Sequence, residues 1–371
     1  MERRDFLRAT GATLVLVAGG RVWRAWAQGV AEIGDGPEYE PWRTWREDAR
    51  RGPLALVRAA IISSNAYNSQ PWLFKLSAGQ IELYADVRRN LGAFDPYLRE
   101  LHLSLGCALE NLLLAAGAEG YRSTVDVPSG PLTADTGAAE PQLVARVGLT
   151  PGNPVSNELY AAIPHRHTNR SPFDAERPVP AAFVDALARA GALDSDVKLF
   201  LFPGDAERAR LADLIASATT TLFQDPAVGQ STRRWFRRTA LEMRERRDGV
   251  LIDATARETL LSYTSMMLTG RLFGLIAVRD RYDRAQTIRA GRVWQRAHLL
   301  ATARGLAARP ANGAVEQIDH ERHQQHDPAA AVALAQVTGD PTWQPTFMFY
   351  MGYATVPAPA SPRRGVKDVV V

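Results

Sequence analysis

Cysteine is nearly missing from this chain: among 371 residues only Cys107 carries a thiol. One thiol excludes an internal disulfide and a cysteine-based zinc site. Its setting in the apolar run LSLGCALENLLL predicts a buried, unreactive side chain. Long apolar runs are missing as well, since no segment approaches the roughly 20 continuous apolar residues of a membrane span. Stable membrane insertion is therefore not expected. Clustered metal ligands are scarce too. The histidines of HERHQQH (His320, His323, His326) are spaced by three, so on a helix they drift round the axis and at most two share a face. No cluster of cysteines or acids accompanies them, and no metal is expected.

A large charge imbalance is also missing once its source is located. The formal charge is +4, with 46% hydrophobic and 23% charged residues, an ordinary globular balance. The N-terminus MERRDFLRATGATLVLVAGGRVWRAWAQG has a basic start, a short apolar middle and small residues at Ala25 and Ala27, the grammar of a signal peptide. Arg3 and Arg4 followed by Asp5, Phe6 and Leu7 resemble a twin-arginine export signal, which implies passage through the twin-arginine machinery to the periplasm. Residues 1–27 hold five arginines against Glu2 and Asp5, so their removal lowers the net charge to +1. Nucleic acid is not an expected partner on that balance.

At roughly 100 to 200 residues per domain, the chain holds two domains or one large fused one. After a polar lead with tryptophans (41–51) comes a helical stretch, LALVRAAII, ending at Ser63. WLFKL and IELYADV predict a hairpin turning at SAGQ. Residues 100–121 are apolar almost all round and predict a helix buried on every side. A loop over 128–140 precedes the strand QLVARVGLT. Residues 205–281 read as one long helical section, within which the arginine-rich 231–249 reads as a solvated helix carrying i,i+4 pairs. A second central helix is predicted over 285–306, and TFMFYMGYA predicts a closing strand. The two central helices align without gaps at an offset of 185, matching Gly106 with Gly291, Leu114 with Leu299, Ala116 with Ala301 and Gly120 with Gly305. This suggests an internal duplication, although two Ala/Leu-rich helices also align by chance. Strands at both ends of each half around long helices predict an α+β architecture.

Two polar intervals carry candidate chemistry. SSNAYNSQPW (63–72) places amides and hydroxyls between two apolar elements. RHTNR (166–170) packs two guanidiniums, an imidazole, a hydroxyl and an amide into five positions, a set suited to a phosphate-type anion and equally readable as a solvated basic loop.

With FDPYLRELHLSLGCALENLLLAAGAEGY and the terminal MGYATVPAPASPRRGVKDVV, these stretches resemble the nitroreductase superfamily, and within it the Acg-like branch, in which two nitroreductase modules are fused. The resemblance spans nearly the whole chain after the signal. It implies an α+β nitroreductase-like fold in which a first module (28–155) and a second (156–371, with a helical cover over about 205–281) form a pseudo-dimer within one monomeric chain. FMN is the implied cofactor. Arg166, His167, Thr168 and Arg170 would hold its phosphate and ribityl chain, joined by Arg364. Ser64, Asn65, Ala66 and Asn68 would line the other side of its ring. Asn312 and Gly313 would lie near flavin N5. No side chain is expected to act as a catalytic acid, base or nucleophile, because the flavin carries the electrons between a small-molecule donor and an acceptor of the nitroaromatic or quinone class. The first module lacks a counterpart of RHTNR, so one complete flavin site per chain is implied. A flavin-holding protein with a capped, non-catalytic site is the alternative, and a metal-dependent hydrolase using the histidine cluster is a third.

Overall fold

The computed structural model describes residues 34, 36–46, 52–133, 140–192, 194–252 and 265–371. The expected signal segment 1–27 and part of the 128–140 loop lie outside the described residues. The fold is α+β, with two four-stranded antiparallel sheets packed around two long helices.

The first sheet has the order β1-β2-β4-β3, from β1 (Trp72–Ser77), β2 (Gln80–Ala85), β3 (Tyr121–Asp126) and β4 (Gln142–Pro151). The predicted hairpin is there: Ser77 pairs with Gln80 and Trp72 with Ala85. Gly79 at φ +71° supplies the left-handed residue that this tight turn requires. The second sheet repeats the order as β5-β8-β10-β9, from β5 (Val197–Phe202), β8 (Leu272–Val278), β9 (Ala307–Pro310) and β10 (Gln344–Gly352). In each half a 20-residue helix connects the second strand to the third: Arg99–Ala118 in the first, Arg284–Ala303 in the second.

The two helices cross where the offset of 185 matches their glycines. A Cβ on Gly106 would overlap the Ile288 carbonyl oxygen, and one on Gly291 would overlap the Leu103 carbonyl oxygen. Each glycine thus meets the residue three positions before its counterpart, a reciprocal contact that only a residue without Cβ permits. Cys107 Sγ lies 3.3 Å from the Gly291 oxygen in this crossing, and burial holds its thiol far above the ordinary range. Among the described residues Arg99–Ala118 is the one helix long and apolar enough by composition to cross a membrane. Here it forms the core, with most of its length buried. Its amino end is capped by Asp95, whose carboxylate accepts from the Glu100 and Leu101 amides at 3.1 and 3.0 Å.

The section expected to be helical over 205–281 is not one element. It holds helices Asp205–Leu222, Pro226–Arg233 and Ala240–Arg246, a short parallel pairing of β6 (Phe236–Arg237) with β7 (Val250–Leu251), and then the sheet strand β8. All seven residues of β8 are buried between β5 and β10. A central strand buried on both faces shows no alternation, so periodicity could not separate LFGLIAV from a buried helix. The arginine-rich 231–249 is likewise broken: Arg237 is buried against Asp248 and Trp235 is 3% exposed. This cover packs onto the first half, with Leu222, Val228 and Trp235 against Leu91 and Phe94. The chain end also crosses over, where Val369 and Val371 hydrogen-bond Phe74 beside β1.

Gly106→Ala is expected to destabilise the protein by roughly 2–4 kcal/mol, because overpacking here forces two helices apart rather than one side chain aside. Urea denaturation of the variant tests this. A midpoint equal to wild type would show that the crossing is looser than described.

Candidate functional site

The segment NSQPW holds three non-glycine residues in or next to it with left-handed backbones: Tyr67 (φ 49°), Asn68 (φ 53°) and Gln70 (φ 52°). Each such conformation costs on the order of 1 kcal/mol and persists where surrounding bonds fix it. Asn68 donates its two amide hydrogens to the carbonyls of Gly249 (3.2 Å) and Pro362 (2.9 Å) and accepts from Arg363. Gln70 donates to the Arg247 carbonyl at 2.7 Å and accepts from the Arg364 amide at 2.8 Å. The amides of this loop therefore clamp the cover segment 247–249 and the C-terminal arm 362–364 to the first half.

Beside the clamp, a cavity is lined by Ser64, Asn65, Asn68, Arg166, His167, Thr168 and Arg170, seven of the eleven residues expected at the site, together with Trp42, Ser361 and Arg363. Its open volume is about 20 Å³, enough for about one water. Arg166 is 2% exposed; it donates to Ser64 Oγ at 3.0 Å and to the Ile62 carbonyl at 3.2 Å. Arg363 is 3% exposed; besides Asn68 it reaches the Ser63 carbonyl at 3.1 Å. The Nε atoms of both, and His167 Nδ1, are buried with no hydrogen-bond partner. Trp42 lies under both guanidiniums, 5.8 Å from Arg166 and 4.9 Å from Arg363, with the His167 ring 4.6 Å from its own.

Among the described residues no carboxylate pairs with Arg166 or Arg363. Burial pulls Arg166 down to about 10, and burial together with Arg166 pulls Arg363 well below its usual value. His167 is pushed down to about 3, by burial first and then by Arg166, and so stays neutral. Arg170 opens to solvent in the cleft, yet desolvation and Arg309 still lower it to about 10. Desolvation disfavours a lone charge, and a second cation nearby adds to the cost. The arrangement therefore suits an anion with several acceptor oxygens, which would engage the unpartnered N–H groups and offset the charge.

Four expected residues stand elsewhere. Arg364 donates to the carbonyls of Gln70 and Trp72 at 2.8 and 3.0 Å and lines a different cleft. Its neighbour Arg363 occupies the cavity in its place. The Ala66 amide donates to Ser104 Oγ at 3.0 Å. Asn312 bridges Glu100 Oε1 and the Met348 amide, both at 2.8 Å, and Gly313 opens the helix Gly313–His323, close against Thr219. Asn68 lines the cavity, with its amide already engaged by Gly249, Pro362 and Arg363.

Sequence reasoning missed Trp42, Arg363 and His298. His298 Nε2 lies 3.3 Å from the His167 carbonyl, while Nδ1 lies 3.2 Å from Ser64 Oγ and 3.4 Å from Arg166 Nη1. With Nε2–H donating, Nδ1 accepts from both neighbours and fixes their orientation. His298 falls on the buried side of the second central helix, away from the partly exposed Arg289, Arg292 and Arg296, and that position was the available signal. That helix also reaches the site through Gln295, which accepts from the Ser64 amide at 3.1 Å and donates to Asn111 at 2.8 Å. Among the described residues no group of three or more His, Cys, Asp or Glu is arranged to hold a metal; His320 pairs instead with Asp225 at 3.0 Å.

No family model matches the sequence. The chain is 26% identical over 339 residues to two proteins of Mycobacterium tuberculosis, from strains CDC 1551 and H37Rv, each named "Putative NAD(P)H nitroreductase"; the match covers 85% of this chain and 90% of theirs. Among solved structures it is similar to an FMN-dependent nitroreductase of Mycobacterium smegmatis in complex with NADPH (17% identity, 57% of this chain and 96% of that one, TM-score 0.38). Another is a nitroreductase with bound FMN from Desulfitobacterium hafniense (13% identity, 58% and 98%, TM-score 0.38).

The buried His298 has a consequence for pH dependence. Burial, then Arg166, holds its pKa well below the ordinary 6.5. Below about 6.5 the unfolded chain takes up this proton and the folded chain does not, so the contribution is complete above that pH and is lost on acidification. His298→Asn is expected to show a shallower loss of stability between pH 6.5 and 5 than wild type. Identical slopes in parallel urea titrations would contradict a buried neutral ring.

Proposed function

We propose that the chain is an FMN-binding oxidoreductase of the nitroreductase type, built from two nitroreductase-like modules, 28–155 and 156–371, that form a pseudo-dimer within one chain. The observation that carries this reading is the buried pair Arg166 and Arg363, with unpartnered Nε–H groups and, among the described residues, no carboxylate, beside Ser64, Asn65 and Asn68 of the first half. The phosphate of FMN supplies the anion that this pair lacks. The repeated strand order, the reciprocal glycine contact and the names of the curated relatives support the same reading.

In this account Arg166 and Arg363 neutralise and orient the phosphate, Trp42 backs both guanidiniums, and neutral His167 adds a polar contact without a third charge. His298 and Ser64 fix the Arg166 fork. Thr168 and the exposed Arg170 line the open end, toward the remainder of the cofactor. When bound, FMN supplies two-electron transfer between a small-molecule donor and a nitroaromatic or quinone acceptor. The chain's residues bind, orient and exclude water, and none is required as acid, base or nucleophile. The open volume beside the arginines is about 20 Å³, so these residues would hold FMN only if the cover clamped through Asn68 and Gln70 were displaced. That clamp favours the second reading, an FMN-holding protein whose capped site does not turn over. The Arg3–Arg4 sequence supports twin-arginine export to the periplasm, where the donor need not be a nicotinamide.

Arg166→Ala and Arg363→Ala are each expected to lose FMN during purification, whereas Arg364→Ala retains it and loses stability, since it bonds only backbone carbonyls of the first half. Loss in Arg364→Ala with full retention in Arg363→Ala would reverse the assignment. Anaerobic mixing of the flavin-loaded protein with NADH, NADPH or dithionite, followed by a quinone or nitroaromatic acceptor, separates the two readings. Bleaching and acceptor-driven recovery of the yellow colour are expected. Retention of FMN with no recovery under any pair would leave the capped binder.

A further inference from the structure

A second cleft, of about 630 Å³, opens where the stretch after β2, the cover and the C-terminal arm meet. Its volume falls in the range of small-molecule sites. Arg88, Arg89, Arg234, Arg237, Arg246 and Arg364 line it against Asp86 and Asp248. The acids are already committed: Asp86 holds Arg88 at 2.8 Å, and Asp248 holds both Arg89 at 2.5 Å and Arg237. Arg234 is held by the Arg88 carbonyl and Arg364 by the carbonyls of Gln70 and Trp72, bonds that carry no compensating charge. Among its lining residues the cleft therefore has four positive charges in excess. The Nε atoms of Arg237 and Arg364 are buried without a partner. Burial, followed by Arg89, lowers the Arg364 pKa to about 10.

We propose that this cleft binds a small molecule carrying two or more phosphate or carboxylate groups. Like charges brought this close repel, and a multivalent anion removes the repulsion while filling the unmet N–H donors. Burial decides between a small anion and an extended one. The side chains of Arg89 and Arg237 are 18% and 10% exposed, out of reach of a flat polyanion surface. Trp235, 3% exposed, lies 5.2 Å from Arg89 and 5.1 Å from Arg234 and holds them as a fixed wall. The site shares no lining residue with the Arg166–Arg363 cavity and does not depend on the flavin reading.

Isothermal titration of the full chain with pyrophosphate tests the proposal. Wild type is expected to bind one equivalent, with affinity falling as salt rises. Arg246→Glu and Arg234→Gln should each weaken binding roughly tenfold or more, the scale of one charge-assisted bond. Arg166→Ala should leave it unchanged. Arg246 is exposed, so its variant reads the site even if Arg234→Gln proves unstable. Absence of binding in wild type would overturn the proposal. So would binding that is lost in Arg166→Ala and kept in the two cleft variants, because the pyrophosphate would then occupy the other cluster.

Discussion

Two buried arginines that have no carboxylate partner among the described residues impose the main constraint on this molecule. Taking a cation out of water costs several kcal/mol even after relaxation, on the order of what one domain has to spare. The same chain shows how a compensated case is built: Arg99, fully buried, is ringed by Glu316 and Asp319, each at 2.6 Å, and by Glu100 at 3.2 Å. Arg166 and Arg363 have carbonyls, a hydroxyl and an amide instead. Those groups orient a guanidinium but supply no full negative charge. An anion at this place would therefore stabilise the fold and not merely occupy a surface.

The constraint also explains the path of the chain around the site. Arg166 comes from a loop that Thr168 and Asn169 tie to Ala308, while Arg363 comes from the C-terminal arm after it has crossed to the first half. Ser64 is held by Gln295 and His298 on the second central helix. The crossing at Gly106 and Gly291 sets how closely that helix approaches the first half, and so where these groups stand relative to Arg166. The left-handed run at Tyr67, Asn68 and Gln70 then turns amides toward the cover and the arm. Strain in the loop, closure of the cover and placement of Arg363 are parts of one hydrogen-bonded arrangement.

Much of this was legible in the residues. The hairpin at SAGQ, both central helices and the offset between them follow from turn chemistry and apolar patterning. RHTNR by itself suited an anion or a solvated basic loop alike, and the structure puts four of its five residues on the cavity wall. What stayed hidden depends on long-range contact. A fully buried strand such as β8 has no period of two, so it merged with the helices before it. Two adjacent arginines, Arg363 and Arg364, are identical as residues, and only the turn of the arm sends the first to the cavity and the second to Gln70 and Trp72. Trp42 lies in a polar lead with no regular pattern, and the partners of Asn68 lie 181 and 294 residues away.

The central claim is that the buried pair requires a phosphate, and comparing FMN with riboflavin isolates it because the two share a ring and differ in that group. Dissociation constants measured by fluorescence quenching on flavin-free protein should favour FMN on the order of a hundredfold or more, the scale of two charge-assisted contacts. That preference should collapse in Arg166→Ala. Equal affinity for the two flavins in the wild-type protein would contradict the account.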